Sequence, residues 1–445
     1  MKTASSPITS CEAVRAPRAA AKETAVVNRS LSSLVCVLAF AALSPSVTVA
    51  ADPSLALSLD EATALALRQN PTYRAASTEA ARSRGARRTV EAPFPANPAI
   101  EFDAGPLRED DATHLGYAAK IEQRVDLLGQ RRARLRAADE RISLSELRAR
   151  AVAAEVRARA RIAYVAALVA QRQREFADQQ VVYLERTYEA ARVRAESGAT
   201  SEIERRLAES ELGRARVTRS QASGTEQRAL QDLRAVLGVA YDRWLALTTP
   251  LAAPSVRVLD RPRLLETAQS RRRDLLVLRQ QGKAIDADIA RLRSERLPQV
   301  AVTVMAQQDA PGAYWVGPGL QVWLPVWQRY QGEIAVATVD RQRQQIELDA
   351  AEQAAARDLW VACDQAERRR DEVALFERSV LDAAEAARDL VFEGWQAGKF
   401  DVFRVLTAER DLVGARLAYL QDLSALWEAE IEIDRAVGVI DEGGN

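Results

Sequence analysis

The sequence predicts a mainly α-helical chain with a small β part, laid out as two repeats of one plan. Three observations carry this expectation. Neither proline nor glycine interrupts the stretch from Gly129 to Gly198, nor that from Gly332 to Gly394. Two short regions alternate apolar and polar residues with period two. A shift of 200 residues carries one set of landmarks onto another.

The N-terminus comes first. Leu34–Leu43 is a ten-residue apolar run, preceded by Arg29 and followed by Pro45 and the small residues Ala50 and Ala51. A basic flank, a short apolar core and small residues at the cut describe a secretory signal peptide over 1–50. The run is too short for a membrane span, which needs ~20 apolar residues. Cys36 lies inside the run rather than at the cut, which argues against lipid attachment there. Cleavage removes five basic and two acidic residues, leaving a net charge of about −3.

After a first helix, the segment opening at Pro98 breaks the helical pattern. Ile100, Phe102 and Ala104 alternate with Glu101 and Asp103, a loop follows over Gly105–His114, and Gly116–Val125 returns. The second such region pairs 298–305 with 316–326, where Val300, Val302 and Val304 alternate with Gln299, Ala301 and Thr303. Each segment has the length of a tilted transmembrane strand, with Trp315, Trp323, Trp327 and Tyr330 placed like interfacial aromatics. A small soluble sheet at the end of a bundle fits the pattern nearly as well.

The intervening stretches are rich in Ala, Arg, Leu, Glu and Gln, mostly strong helix formers. Nearly seventy residues at ~1.5 Å each make a rod on the order of 100 Å long. Leu144, Leu147, Ala151 and Ala154 recur at three- and four-residue steps, an Ala-rich stripe suited to close coiled-coil packing. Asp139, Glu140 and Glu155 interrupt the faces around the arginine clusters at 131–136 and 157–161, so these describe solvated, ion-paired faces.

The repeat organises these elements. Gly198 maps onto Gly398, Glu209 onto Glu409, Gly238 onto Gly438 and Pro98 onto Pro298. The expected division is a first repeat at 51–239 with strands 98–104 and 116–125 and a turn near 198. A linker at 240–262 follows, then a second repeat at 263–440 with strands 298–305 and 316–326 and a turn near 398, and a tail at 441–445. Four lone strands cannot sit in lipid, because their edge amides would be unsatisfied. A barrel made from them closes only if several chains pool their strands.

Composition excludes much. Lys+Arg and Asp+Glu are 62 each, so bulk charge does not hold this chain to nucleic acid. One histidine, His114, and three cysteines, Cys11, Cys36 and Cys363, exclude zinc fingers, disulfide frameworks and catalysis built on several imidazoles. No enzyme, no cofactor and no bound metal is expected. His114 fits a surface loop, and Cys363 a small packing residue.

At this point the chain resembles a known family almost end to end. Asn70-Pro71, Leu297-Pro298-Gln299-Val300 and the two turn regions at 194–216 and 394–416 are similar to those of TolC-type outer membrane factors. The segments 123–131 and 324–332 resemble most the heavy-metal-efflux (CzcC-like) branch. The resemblance implies a homotrimer whose twelve strands form one barrel in outer membrane lipid of a Gram-negative bacterium. A helical tunnel would run on into the periplasm. Cargo, heavy-metal cations on this reading, would arrive from an inner-membrane pump of the RND type through a periplasmic adaptor (membrane fusion protein). A multidrug or type I secretion duct of the same fold is the alternative within transport. A secreted structural coiled-coil protein is the alternative outside it.

The resemblance also implies site residues. The turns at Gly198, Ala199 and Thr200 and at Gly398, Lys399, Phe400 and Asp401 would face the adaptor. Thr200 and Asp401 would cap the returning helices, with Phe400 as an apolar anchor. Relatives narrow this end with carboxylates six and nine residues after the second turn glycine, where this chain has Arg404 and Thr407. Asp401 or Glu204 could supply charge instead. Glu101 and Asp103 would face the barrel lumen.

Overall fold

A computed structural model describes residues 55–109, 112–255, 257–310 and 312–439. The expected signal peptide with Cys11 and Cys36, and the tail at 441–445, lie outside the described residues.

Strand β1 (Leu55–Leu57) leads into α1 (Leu59–Gln69), whose first turn is closed reciprocally. The Ser58 hydroxyl accepts from the Glu61 amide, and the Glu61 carboxylate accepts from the Ser58 amide at 2.8 Å. Asn70 ends α1 and opens α2 (Pro71–Glu91), its Oδ1 accepting from the amides of Thr72 and Tyr73. The first helix of the repeat is therefore two helices, because a residue before proline leaves the α region. The same break falls at Arg272, between α5 (Arg261–Arg271) and α6 (Arg273–Glu295), without a proline.

The long helical hairpins follow the proline- and glycine-free stretches. Helix α3 (Gln130–Glu196) runs 67 residues and turns back into α4 (Glu202–Leu237). In the second half, α7 (Gln331–Leu375) passes through a π-helical turn, Phe376–Val380, into α8 (Leu381–Gln396), then back along α9 (Val402–Val437). This turn corrects the expectation of one uniform rod. Side chains meet the carbonyls that the wider turn loosens: Arg378 Nε donates to Ala374 O, and Ser379 Oγ to Leu375 O.

Four strands form one antiparallel sheet in the order β2 (Ala99–Glu109), β3 (Ala112–Val125), β5 (Gln299–Ala310), β6 (Ala313–Trp323). Both pairs run past their expected turn-side ends, the first beyond 104 and 116, so that His114 lies in β3 rather than in a loop, and the second beyond 305 and 316. Pro106 lies in β2, an edge strand, where proline is tolerated. The last strand stops at Trp323 rather than 326, since Pro325 offers no donor to extend it. A separate parallel ladder joins β1 to β4 (Leu245–Leu247), inside the linker.

Among the described residues, three larger buried clusters hold the helices, with two smaller ones around Leu420 and Leu423. One gathers Leu57, Tyr164, Leu233 and Leu237 where α1, α3 and α4 meet the small ladder. A second joins both hairpins near their turns through Val181, Leu184, Leu212, Trp395, Val402 and Val405. A third packs α5 against α7 and α9 around Leu359, Cys363 and Ile433. Cys363 is free and fully buried, in the packing role expected of it.

Candidate functional site

Two regions carry the chemistry: the sheet, and the far ends of the hairpins. Register fixes which sheet residues share a face. Ile100 lies opposite Ile121, which lies opposite Val304; Val302 lies opposite Leu320, and Val300 opposite Val322. This face is apolar and open, with Ile100 76%, Phe102 69%, Val316 71% and Leu320 68% exposed. So much uncovered apolar surface on one face marks an interaction surface.

The opposite face is polar. Glu101 pairs directly with Lys120, and Glu122 and Arg124 follow on the same side of β3. The Lys120 ammonium lies 3.1 Å from Glu101 Oε2 and 3.4 Å from Glu122 Oε2. Arg124 Nε lies 3.8 Å from Glu122 Oε1, and its guanidinium rests 4.8 Å from the Trp323 ring centroid. Asp103 stands on this face opposite Ala118. The sequence pattern put Glu101 and Asp103 on the polar side, but not the Lys120–Glu122–Arg124 row. Alternation sorts residues within a strand; only register joins two strands.

The turns are built alike. Gly198 and Gly398 take φ of +73° and +75°, the left-handed region that a Cβ resists. Ala199 N donates to Arg194 O and Lys399 N to Gly394 O, at 2.9 and 2.8 Å. Gly198, Ala199, Gly398, Lys399 and Asp401 are exposed, and Thr200 half-buried. Asp401 caps α9 by accepting from the Arg404 amide at 3.1 Å. Thr200 is not the corresponding cap, because Ser201 holds the N-cap position of α4, with no side-chain bond of its own.

Phe400 does not stand out as an anchor. Its ring folds back beside Gly394, where an added Cβ would lie 2.5 Å away, and Arg404 stacks over it at 5.1 Å. Exposed apolar side chains near the turns include Ile203 and Phe403, 70% and 58% exposed. Thr407 donates to Phe403 O, Arg404 is exposed and Glu204 half-buried. Across the hairpins, Arg194 stacks 5.3 Å from the Trp395 ring centroid and donates to its carbonyl.

The charged group that sequence reasoning missed is Glu409. It is 4% exposed, and its Oε2 and the buried Tyr183 hydroxyl have no hydrogen-bond partner. Burial pushes its carboxyl up to about 7, partly opposed by Arg388 and Arg416. Burial, and next the Glu409 charge, push the Tyr183 hydroxyl up as well. Arg388 stacks 5.1 Å from the Tyr183 ring centroid. The repeat counterpart, Glu209, is exposed, so nothing in the sequence distinguished them.

The chain belongs to the outer membrane efflux protein family, whose profile matches residues 62–239 and 264–439. It is an efflux channel of the outer membrane, with its helical part in the periplasm. Among relatives, it is 27% identical over 383 residues to the cobalt-zinc-cadmium resistance protein CzcC of Cupriavidus metallidurans, covering 86% of this chain and 90% of that protein. Its fold is similar to that of CusC, with a TM-score of 0.71 and 17% identity over 85% of this chain and 92% of the other. The outer membrane protein VceC of Vibrio cholerae gives 0.72 and 16% identity, over 85% and 96%. These relatives are channel proteins rather than enzymes.

Proposed function

We propose that three copies of this chain join their sheets edge to edge into one twelve-stranded barrel, through which heavy-metal cations leave the periplasm. The observation that carries this reading is the open sheet itself: an apolar outer face, a charged inner face, and edge strands β2 and β6 without further partners among the described residues. Lipid can cover the first, water the second, and neighbouring subunits the edges. The α3–α4 and α7–α9 hairpins would extend the tunnel as a coiled-coil wall. The cargo reading is supported by the relative named for cobalt, zinc and cadmium resistance.

The exposed turns around Gly198 and Gly398 would receive a periplasmic adaptor fed by an inner-membrane pump of the RND type. Asp401 caps its helix there, and Ile203 and Phe403 offer the apolar contacts. Energy would come from the pump, and the duct would be passive.

Arginine at Val304 or Leu320, on the lipid face and away from the strand ends, should block insertion, since a charge there costs ~2–4 kcal/mol at mid-membrane. Arginine at Gln321, on the other face, should be tolerated. Trimer yield in outer membranes is the readout, and equal tolerance on both faces would sink the barrel. For cargo, deletion of the gene should sensitise cells to cobalt, zinc or cadmium salts, and unchanged growth would remove the cation reading.

A further inference from the structure

Among the described side chains, the charge on the inner face of the sheet falls on one of its two hairpins. On β2 and β3 it comprises Glu101, Asp103, Lys120, Glu122 and Arg124. On β5 and β6 the described polar-face side chains include Gln299, Ala301, Thr303, Met305, Gln307 and Gln321, none of them charged. Within the charged group, Lys120 holds the central position. Its ammonium sits between a carboxylate on the neighbouring strand and another two residues along its own, at 3.1 and 3.4 Å.

That is the position a divalent cation would take if it bridged the two carboxylates. Carboxylate oxygens bind such ions at ~2.0–2.6 Å, and two of them on one wall form the start of a site. A conducting pore must not hold its cargo this way, because passage requires binding weak enough to leave. The Glu122 side chain is only 13% exposed, so its charge is little screened and needs a resident partner. Lysine suits that role as a compact point charge.

We infer that Lys120 is a built-in counter-cation that keeps Glu101 and Glu122 from capturing divalent cargo, and so sets the ion tolerance of the pore. The inference rests on the barrel reading above, in which this face lines the lumen.

The test is conductance of purified trimers in planar bilayers, with potassium chloride as carrier and zinc chloride added as the probe. Wild type should conduct with little zinc block. Lys120→Gln should be half-blocked at a zinc concentration at least about tenfold lower than wild type, most clearly at low ionic strength. Lys120→Arg, which keeps the charge, and the double change Glu101→Gln with Lys120→Gln, which removes one carboxylate, should both return toward wild type. Lys120→Ala serves in place of the glutamine variant if that one gives a poor trimer yield. Conducting Lys120 variants with wild-type zinc tolerance would overturn the assignment while leaving the barrel intact. A wild-type trimer that conducts nothing would overturn the barrel and the assignment together.

Discussion

The two repeats agree where the backbone is constrained and differ where side chains act. Gly238 and Gly438 both take positive φ, and each presses against the bend between paired helices. A Cβ there would lie 2.7 Å from the carbonyl oxygen of Gln69 in one half and of Arg271 in the other. Gly198 and Gly398 match equally well. Yet the long helix enters through Gly129 in the first half and through Tyr330, at φ +55°, in the second. Glu209 is exposed where Glu409 is buried. The segment leading into each half is also held differently. In the first it pairs as a strand; in the second Arg257 is ion-paired to Glu430 and Asp434, at 2.8 and 2.7 Å. Duplication fixed a backbone frame, and the two copies were then free to take different chemistry upon it.

The largest effect should come from the shared frame. Valine at Gly238 or Gly438 combines a clash with two backbone carbonyl atoms and a positive φ, and should cost ~3–5 kcal/mol in either half. Thermal unfolding in detergent measures this, and a large effect in one half alone would break the equivalence.

Next comes the pair Glu409 and Glu209. An unfolded glutamate titrates near 4.5, whereas the buried Glu409 carboxyl sits at about 7. Between those values the folded state binds more proton than the unfolded one. Stability present in acid is therefore lost as pH rises toward 7, by roughly 3 kcal/mol, and is level above it. Glu409→Gln should raise the melting temperature at pH 8 and flatten this slope. Glu209→Gln, on solvated surface, should change stability by less than about 0.5 kcal/mol.

The helix entrances should show the smallest difference. Gly129→Ala should destabilise by ~1 kcal/mol, while Tyr330→Gly relieves strain of similar size and should be neutral or slightly stabilising. Parallel losses at both positions would mean that the Tyr330 ring contributes more than its backbone costs.

Much of this frame was legible beforehand because it depends on what a residue forbids. Missing prolines and glycines marked α3 and the α7–α8 rod, and the turn glycines marked their ends. Alternation found both strand pairs, though it stopped each short of its turn: the first at Gly105, because Pro106 reads as a breaker until its edge position is known, and the second at Met305. The bend at Arg272 carries no asparagine or proline to announce it, and Phe376–Val380 contains no residue that forbids an ordinary helix. The site was less legible. Phe400 read as a displayed apolar group, but the vacancy beside Gly394 draws its ring inward. Lys120 lay inside a recognised strand, and its meaning came only from residues brought alongside it. The burial of Glu409 follows from the packing of both hairpins, which no local pattern encodes.

The small ladder of β1 and β4 also has a bearing on time. Leu55 meets Leu245 across 190 residues, and the Tyr164 hydroxyl ties the two ends further, donating to Leu57 O at 2.7 Å and accepting from the Thr249 amide at 3.2 Å. A chain delivered N-terminus first cannot form this clasp until the whole first repeat and the start of the linker have emerged. Closing so long a loop costs only slowly more with length, so the clasp can wait. Its closure draws only on the first half and the start of the linker, and on none of the second half.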